Sequence, residues 1–463
     1  MKRTQTVFIL LLTLIIQGYN AQENSVKSSV LNGRWLVELK SNDIGTVKTI
    51  FNFESSDSTF NAYTRQGADR AILGFWKSTM ARIFTDDFKN GSLVRITDGI
   101  IQNRNDTIFL AAIFRSSIGS YYFNGTVVND TLNAKLRNSK KELTGQLMGF
   151  KNAKITYPLN DYPKIISEAI DTTKTKIYNR DILETKKWKQ FDRKITEKSS
   201  DFKDDIELVF AFFYFAKELP ISHFALTRVS EQNIAQDTLS KKFLNLSQLT
   251  ESTALLKITS FSGTAKEVDS IFSEIDRKGY KNLIVDLRDN PGGSVEAGMA
   301  FARNVVDTTM IGGIFLTQKW FNNLSNIPTA NEYNQFPVFS DANYDLIIQG
   351  IHREKGLVLK VYPMKDNYKG KLFIITNNNT ASTCEPIVYA LKENDRAIIV
   401  GKKTAGVMLN GEQFKLPSGF SVFVPTADYY TRYGYRIDQE GVQPNIELKK
   451  EDPVQHIEKK LIK

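Results

Sequence analysis

A single cysteine, Cys384, lies between small polar residues and an apolar run that is typical of a helix. The strand-like run KLFIITN precedes it and TASTCEP begins the helix, so the thiol falls in the first helical turn. Unpaired backbone N–H groups and the helix dipole lower a thiol pKa there and favour the nucleophilic thiolate. Cysteine is also often buried as a small apolar side chain. The residues alone leave both interpretations open.

The turn that carries this cysteine offers a second nucleophile. Ser382 precedes Glu385 by three positions, which is the spacing of a capping box at the start of a helix. A strand, a sharp turn and a helix in this order also resemble a nucleophile elbow, which favours Cys384 as nucleophile. Ser382 is the next candidate if Cys384 is not the nucleophile.

A second turn with chemical potential is DLRDNPGG, residues 286–293, between a buried strand and a helix. The adjacent glycines Gly292 and Gly293 let the backbone approach a ligand closely and point N–H groups at it. Such donors can stabilise an oxyanion, although the same residues also suit a plain tight turn.

The distribution of the charged residues and of the histidines argues against nucleic-acid binding and against a metal site. The net charge is +10, but the basic residues are spread along the chain without a nucleic-acid recognition motif, so no nucleic-acid partner is predicted. The three histidines, His223, His352 and His456, do not cluster with the cysteine at metal-ligand spacing, so neither a metal site nor a cofactor is expected.

The first residues predict export. Met1–Ala21 has a positive start, a short apolar stretch and a small residue at its end, as in a secretory signal peptide. The mature protein is expected in the periplasm, outside the cell or at the cell surface, without stable membrane insertion. The oligomeric state is not visible in the sequence.

The elements that must position these residues form three predicted regions after the signal peptide. Short strands punctuated by Gly, Asn and Asp predict an all-β accessory domain at 27–155, either a sandwich or a barrel. Helical periodicity predicts a helical subdomain at 156–230. Strand and helix then alternate, which predicts an α/β core with a largely parallel sheet at 251–450. The stretch from Gly312 to Tyr368 is expected to be irregular.

Several core motifs in this order resemble the tail-specific (carboxy-terminal processing) protease family, closest to its tricorn-core and interphotoreceptor retinoid-binding protein branch. The motifs are LIVDLRDNPGG, NTASTCEPIVYALKENDRAIIVGKKTAG, FSVFVPT and GVQPNIEL. The resemblance implies an α/β core of the crotonase-like/ClpP-like type and a serine-type peptidase, with a peptide or unfolded protein as substrate.

The resemblance also implies roles for individual residues. The family serine maps to Cys384, and the oxyanion donors map to Gly292 or Gly293 and to Glu385. The lysine base of the tail-specific branch is absent, because Val407 follows the turn GKKTAG.

The tricorn-type branch instead uses a histidine preceded by a serine, together with a carboxylate, which match His223, Ser222 and Asp438, with Glu440 as the alternative carboxylate. The sequence therefore predicts an exported peptidase with Cys384 as nucleophile and His223 as general base. The alternative is an inactive peptide- or ligand-binding protein on the same fold.

Overall fold

The computed structural model describes residues 30–462 except 42–43, 86–87, 89–90, 117–118, 140, 152–154, 229–242, 325 and 341–342. The predicted signal peptide, Met1–Ala21, lies outside the described residues. The chain divides into two compact units. We call them the barrel unit, whose described residues fall within 1–160 and 201–208, and the core unit, which contains the other described residues.

Eight antiparallel strands form a closed barrel in the barrel unit. The strands are β1 Gly33–Ser41, β2 Gly45–Ser56, β3 Thr59–Tyr63, β4 Val94–Arg104, β5 Thr107–Ser116, β6 Gly119–Val128, β7 Thr131–Arg137 and β8 Leu143–Lys151. Each strand pairs with the next, and β1 pairs with both β2 and β8, which closes the sheet. Closure leaves no unpaired edge strand. Two helices, α1 Ala68–Leu73 and α2 Phe75–Phe84, connect β3 to β4.

Alternation along the strands fills the barrel interior with apolar side chains. Trp35, Val37 and Leu39 of β1 are buried, whereas the residues between them are partly exposed. The rings of Phe51 and Phe114 lie 6.3 Å apart although their strands are not neighbours, so they meet across the interior. The barrel is therefore packed with aromatic side chains.

The core unit contains most of the helices of the chain. They are α3 Tyr162–Lys176, α4 Asp181–Glu184, α5 Lys186–Lys198, α6 Asp205–Ala216 (whose first residues belong to the barrel unit), α7 Ala265–Lys278, α8 Val295–Val305, α9 Gln318–Phe321, α10 Ala330–Tyr333, α11 Tyr344–Arg353, α12 Cys384–Glu393 and α13 Pro453–His456. The predicted helix end at Gly279 is confirmed, because this residue caps α7 with a φ of 64°.

Two sheets organise the core unit. The first has the order β10-β11-β12-β16-β17-β20, and all its pairs are parallel except β10–β11. Its strands are β10 Leu244–Gln248, β11 Thr253–Ile258, β12 Asn282–Asp286, β16 Lys371–Thr376, β17 Ile398–Gly401 and β20 Ile446–Glu447. The second sheet has the order β9-β19-β13-β15-β14, and β18 pairs with β19. Its strands are β9 Ala225–Arg228, β13 Met310–Thr317, β14 Val338–Phe339, β15 Gly356–Val361, β18 Leu409–Lys415 and β19 Phe420–Tyr430.

The fold class predicted from the sequence is confirmed: an all-β accessory domain, which is a barrel, a helical segment and an α/β core. The expectation of an irregular stretch from Gly312 to Tyr368 is wrong. This stretch contains most of β13, all of β14 and β15 and three helices. The three domain boundaries drawn from the sequence remain a prediction.

Candidate active site

The site is built where β12 and β16 end at the same edge of the parallel sheet. The loop after β12 contains Gly292 and Gly293, and the turn after β16 contains Ser382 and leads into α12. The carboxyl ends of parallel strands are where α/β proteins place their sites.

Hydrogen bonds fasten the two loops to each other. The Ala381 amide donates to the Asn290 carbonyl at 3.0 Å, and the Thr383 hydroxyl donates to the Gly293 carbonyl at 2.8 Å. The Gly292 loop also approaches the turn closely, because a Cβ on Gly292 would lie 2.7 Å from the Cβ of Ser382. Gly292 and Gly293 have φ angles of 97° and 144°, which favour glycine.

The structure places Cys384 inside the protein. Its side chain is 0% exposed, and the thiol lies 3.7 Å from the Asn290 carbonyl. Burial raises the pKa of the thiol far above its usual range, and the charge of Glu385 raises it further. Desolvation thus outweighs the effect of the helix start on the thiol pKa. A buried neutral thiol does not fit the predicted role of Cys384 as nucleophile.

Ser382 occupies the exposed position on the same turn. Its φ of 54° is rare for a residue with a side chain and marks a sharp turn. The residue is partly exposed, and among the described residues no group is hydrogen-bonded to its hydroxyl. The expected capping box forms only in part, since Glu385 accepts from the Ser382 amide at 3.0 Å but the Ser382 hydroxyl caps nothing.

The Glu385 carboxylate is 0% exposed and contacts the turn GKKTAG that follows β17. It accepts hydrogen bonds from the Thr404 hydroxyl at 2.6 Å and from the amides of Gly406 and Val407 at 2.8 and 2.9 Å. Burial raises the pKa of this carboxyl, while these hydrogen bonds oppose the rise. Glu385 thus links the Ser382 turn to the turn GKKTAG.

The backbone donors near Ser382 differ from those predicted. The Gly292 amide donates to the Asn290 side chain at 2.9 Å, and the Glu385 amide donates to the Ser382 carbonyl at 2.8 Å, so neither is available. Within the described part of the chain, the amides of Gly293 and Thr383 have no acceptor. Gly293 therefore stays a predicted donor. Thr383 is a further candidate that the sequence did not indicate, because the predicted donor was counted from Cys384 rather than from Ser382.

His223 and its predicted partners form one hydrogen-bonded chain. The Ser222 hydroxyl lies 2.9 Å from the His223 Nδ1 and donates to the Asp438 carboxylate. Asp438 is 0% exposed, whereas the alternative carboxylate, Glu440, is exposed. The structure therefore brings Ser222, His223 and Asp438 together and leaves Glu440 out.

Consecutive residues connect this chain to the Ser382 turn. The Ser382 amide donates to the Val407 carbonyl at 3.1 Å, and the next amide, that of Met408, donates to Asp438 at 3.1 Å. The His223 ring packs on Phe423 at 5.9 Å, and no described group is bonded to its Nε2. Burial lowers the pKa of His223, and the charge of Asp438 opposes this. A largely neutral imidazole at neutral pH suits a general base.

The other two histidines lie in separate ion pairs. His352 is 2.9 Å from Glu412, and His456 is 2.9 Å from Glu451. Across the described residues, no group of three or more His, Cys, Asp or Glu side chains is arranged to hold a metal ion. None of the described helices combines the length and the apolar composition that a membrane crossing requires.

Comparison with known proteins finds similarity in the core unit. Residues 252–448 match peptidase family S41. The chain is 27% identical over 205 residues to the carboxyl-terminal-processing protease of Picosynechococcus sp., a match that covers 44% of this chain and 41% of that protein. It is 23% identical over 221 residues to the carboxy-terminal processing protease CtpA of Bacillus subtilis, covering 48% of this chain and 40% of that protein.

Among solved structures, a lipoprotein from Streptococcus agalactiae is similar, with a TM-score of 0.46 and 18% identity over 66% of this chain and 98% of that one. The chain spans about two fifths of the length of the curated relatives that it matches.

Proposed function

We propose that this protein is an exported peptidase whose nucleophile is Ser382, because residues 252–448 match peptidase family S41. The proposed substrates are peptide bonds of unfolded proteins or short peptides. The observation that carries the proposal is that the Ser382 hydroxyl and the amides of Gly293 and Thr383 have no hydrogen-bond partner among the described residues. The Ser382 turn is joined through Val407 and Met408 to the Asp438–Ser222–His223 chain.

The proposed reaction begins when the Ser382 Oγ attacks the scissile carbonyl carbon and its proton passes to the His223 Nε2. The Nδ1–H of His223 donates to Ser222, which donates to Asp438, so the buried carboxylate stabilises the imidazolium that forms. The amides of Gly293 and Thr383 stabilise the oxyanion.

The acyl-enzyme then forms and breaks down in two balanced steps. When the C–N bond breaks, the His223 Nε2 returns its proton to the leaving amine. A water molecule, deprotonated in turn by the His223 Nε2, attacks the acyl carbon; the ester C–O bond then breaks, His223 returns the proton to the Ser382 Oγ, and the carboxylic acid product leaves. A histidine base also removes the need for the lysine that Val407 replaces.

Two substitutions on the same turn test the nucleophile. Ser382→Ala is expected to reduce peptide hydrolysis at least about a thousandfold, since a covalent nucleophile is lost. The matched Cys384→Ala variant is expected to keep kcat within a few-fold, at a cost of about 1 kcal/mol of stability for the small cavity. Initial rates on a fluorogenic casein, with protein folding checked by circular dichroism, give the comparison.

A labelling experiment separates the proposal from its alternative. A fluorophosphonate probe, mapped by mass spectrometry, is expected to modify Ser382 in the unmodified protein and to fail in His223→Ala. Peptide binding without hydrolysis or labelling would favour the inactive binding protein instead. Activity that survives Ser382→Ala but not Cys384→Ala would restore Cys384 as the nucleophile.

A further inference from the structure

A half-buried arginine, Arg436, contacts the carboxylate of the proposed catalytic chain. The Arg436 Nη2 donates to the Asp438 Oδ2 at 3.3 Å, and its Nε donates to the Asp428 Oδ2 at 2.8 Å. The same Nη2 donates to the Tyr178 hydroxyl at 3.1 Å. The guanidinium therefore joins two carboxylates that are 0% and 2% exposed.

The two oxygens of Asp438 have different partners. Its Oδ1 accepts from the Ser222 hydroxyl and the Met408 amide, whereas among the described residues only Arg436 donates to its Oδ2. Contacts at both oxygens fix the rotation of the carboxylate, so that Oδ1 stays directed at Ser222. A buried carboxylate without its cation is also costly to maintain.

Asp428 in turn holds the arginine. It lies on β19, which pairs with β13 and β18 on its two sides, and its Oδ1 accepts from the Tyr429 amide at 2.9 Å. Burial raises the pKa of Asp428 to about 6, and Arg436 opposes the rise. Above that pH the carboxylate is ionised and anchors the guanidinium.

We infer that Arg436 and Asp428 are positioning residues of the reaction, which orient Asp438 and balance its charge so that Ser222 and His223 are held for proton transfer. This inference rests on the proposed function. Both residues are proposed to act through Asp438, and neither was indicated by the sequence.

Arg436 and Asp428 carry opposite charges, so their removal has opposite effects on the pKa of His223. Loss of the Arg436 cation leaves more negative charge behind Ser222, which favours the imidazolium and moves the acid limb of kcat/KM to higher pH. Loss of the Asp428 anion has the reverse effect. Among the described residues, the groups that interact with His223 are Ser222, the Phe423 ring and the charge of Asp438, and of these Asp438 is the ionic one.

The experiment compares Arg436→Gln, Asp428→Asn and the double variant in the full chain. Arg436→Gln is expected to lower kcat about tenfold to a hundredfold with KM nearly unchanged, as misplacement of a catalytic group does. The acid limb of kcat/KM is expected to shift to higher pH in Arg436→Gln and to lower pH in Asp428→Asn. In the double variant it is expected to return toward that of the unmodified protein. Equal losses of kcat without opposite shifts would mean a merely structural role and would overturn the inference.

Two further variants keep the test decisive if Arg436→Gln does not fold. Arg436→Lys preserves the positive charge but not the several N–H donors of the guanidinium. It is expected to lower kcat while the acid limb of kcat/KM stays in place. An unchanged kcat would contradict the inference. Tyr178→Phe removes only the third contact and is expected to lower kcat less than Arg436→Lys. Failure of the proposed function looks different, because the unmodified protein would then neither hydrolyse peptides nor react with the fluorophosphonate probe.

Discussion

Ser382 and Cys384 lie two residues apart on one turn, and the backbone determines which of them meets solvent. A φ of 54° at Ser382 turns the chain sharply and leaves its hydroxyl unbonded, and two residues later α12 has begun and directs Cys384 into the core. The nucleophilicity of a thiol depends on its thiolate form, which burial suppresses. The Cys384 thiol, which would be the stronger nucleophile when ionised, is therefore buried, whereas the Ser382 hydroxyl is partly exposed.

The pH dependence of activity is the first prediction at this scale. His223 must be neutral to accept a proton, and burial lowers its pKa from the ordinary 6.5. Activity is lost as the pH falls through this lowered value, so the acid limb of kcat/KM is expected to have its midpoint below pH 6.5. A rate profile on a short peptide measures it.

A matched histidine variant controls that profile. His352 is in an exposed ion pair with Glu412, so His352→Gln is expected to leave the acid limb where it is. A midpoint clearly above pH 6.5 in the unmodified protein would mean that His223, in the state described here, is not the base.

At the scale of elements, strand-to-helix connections carry the site, and their glycines are under direct steric constraint. A Cβ on Gly293 would lie 2.5 Å from the backbone carbonyl carbon and oxygen of Phe261. The neighbouring backbone is tied to the same place, since the Phe261 amide donates to the Gly292 carbonyl at 2.8 Å and the Ser294 amide to the Phe261 carbonyl at 2.7 Å. The loop therefore cannot make room for an added Cβ without moving the Gly293 amide.

Gly293→Ala is therefore expected to reduce kcat about a hundredfold to a thousandfold, the usual effect of losing an oxyanion donor. Gly279→Ala is the matched control: its φ of 64° is also positive, but nothing lies within 4 Å of the added Cβ. The control is expected to lose about 1 kcal/mol of stability and no activity. Equal kcat for the two variants, measured per folded molecule, would exclude Gly293 as a donor.

The elements of the core were largely predictable, because each has its own local signal. Buried strands such as β12 and β16 are continuous apolar runs, and α7 combines an apolar face with a glycine end. The helices and strands between Gly312 and Tyr368 were not recognised from the sequence, since two of the helices, α9 and α10, are only four residues long. Short elements depend on tertiary contacts more than on local periodicity.

The site was predictable only in part, for a related reason. Ser222 and Asp438 are 216 positions apart in the chain, so only a resemblance to a known family could pair them. No residue pattern distinguishes the positive φ of Ser382 from the helical start at Cys384. Both candidate nucleophiles therefore lie on one turn, and only the backbone conformation shows which of them is exposed.

At the scale of the whole molecule, stability depends on carboxylates that folding removes from water. Asp204 in the barrel unit is 1% exposed, accepts from the Thr49 hydroxyl at 2.7 Å and from the Glu207 amide at 3.1 Å. Burial, followed by the charge of Glu207, raises the pKa of Asp204 to about 7. The folded chain thus holds a proton on this group more tightly than the unfolded chain does.

The sign of the resulting pH dependence follows from proton binding. Between the ordinary carboxyl pKa near 3.8 and the folded value near 7, the folded state binds more protons, so stability falls as the pH rises through this range. Asp204→Asn keeps an oxygen for Thr49 and cannot ionise. Relative to the unmodified protein, it is expected to gain on the order of 1 kcal/mol between pH 4 and pH 8, or a few degrees in Tm.

Thermal unfolding of both proteins at pH 4 and pH 8, with the exposed Asp106→Asn as control, measures the difference. The control is expected to change Tm equally at both pH values. A Tm difference between Asp204→Asn and the unmodified protein that stays constant with pH would show that Asp204 does not bind the proton on folding. Because Asp204 lies outside the core unit that holds Ser382, kcat at pH 8 is expected to stay the same while Tm rises, which separates the stability of the barrel unit from catalysis.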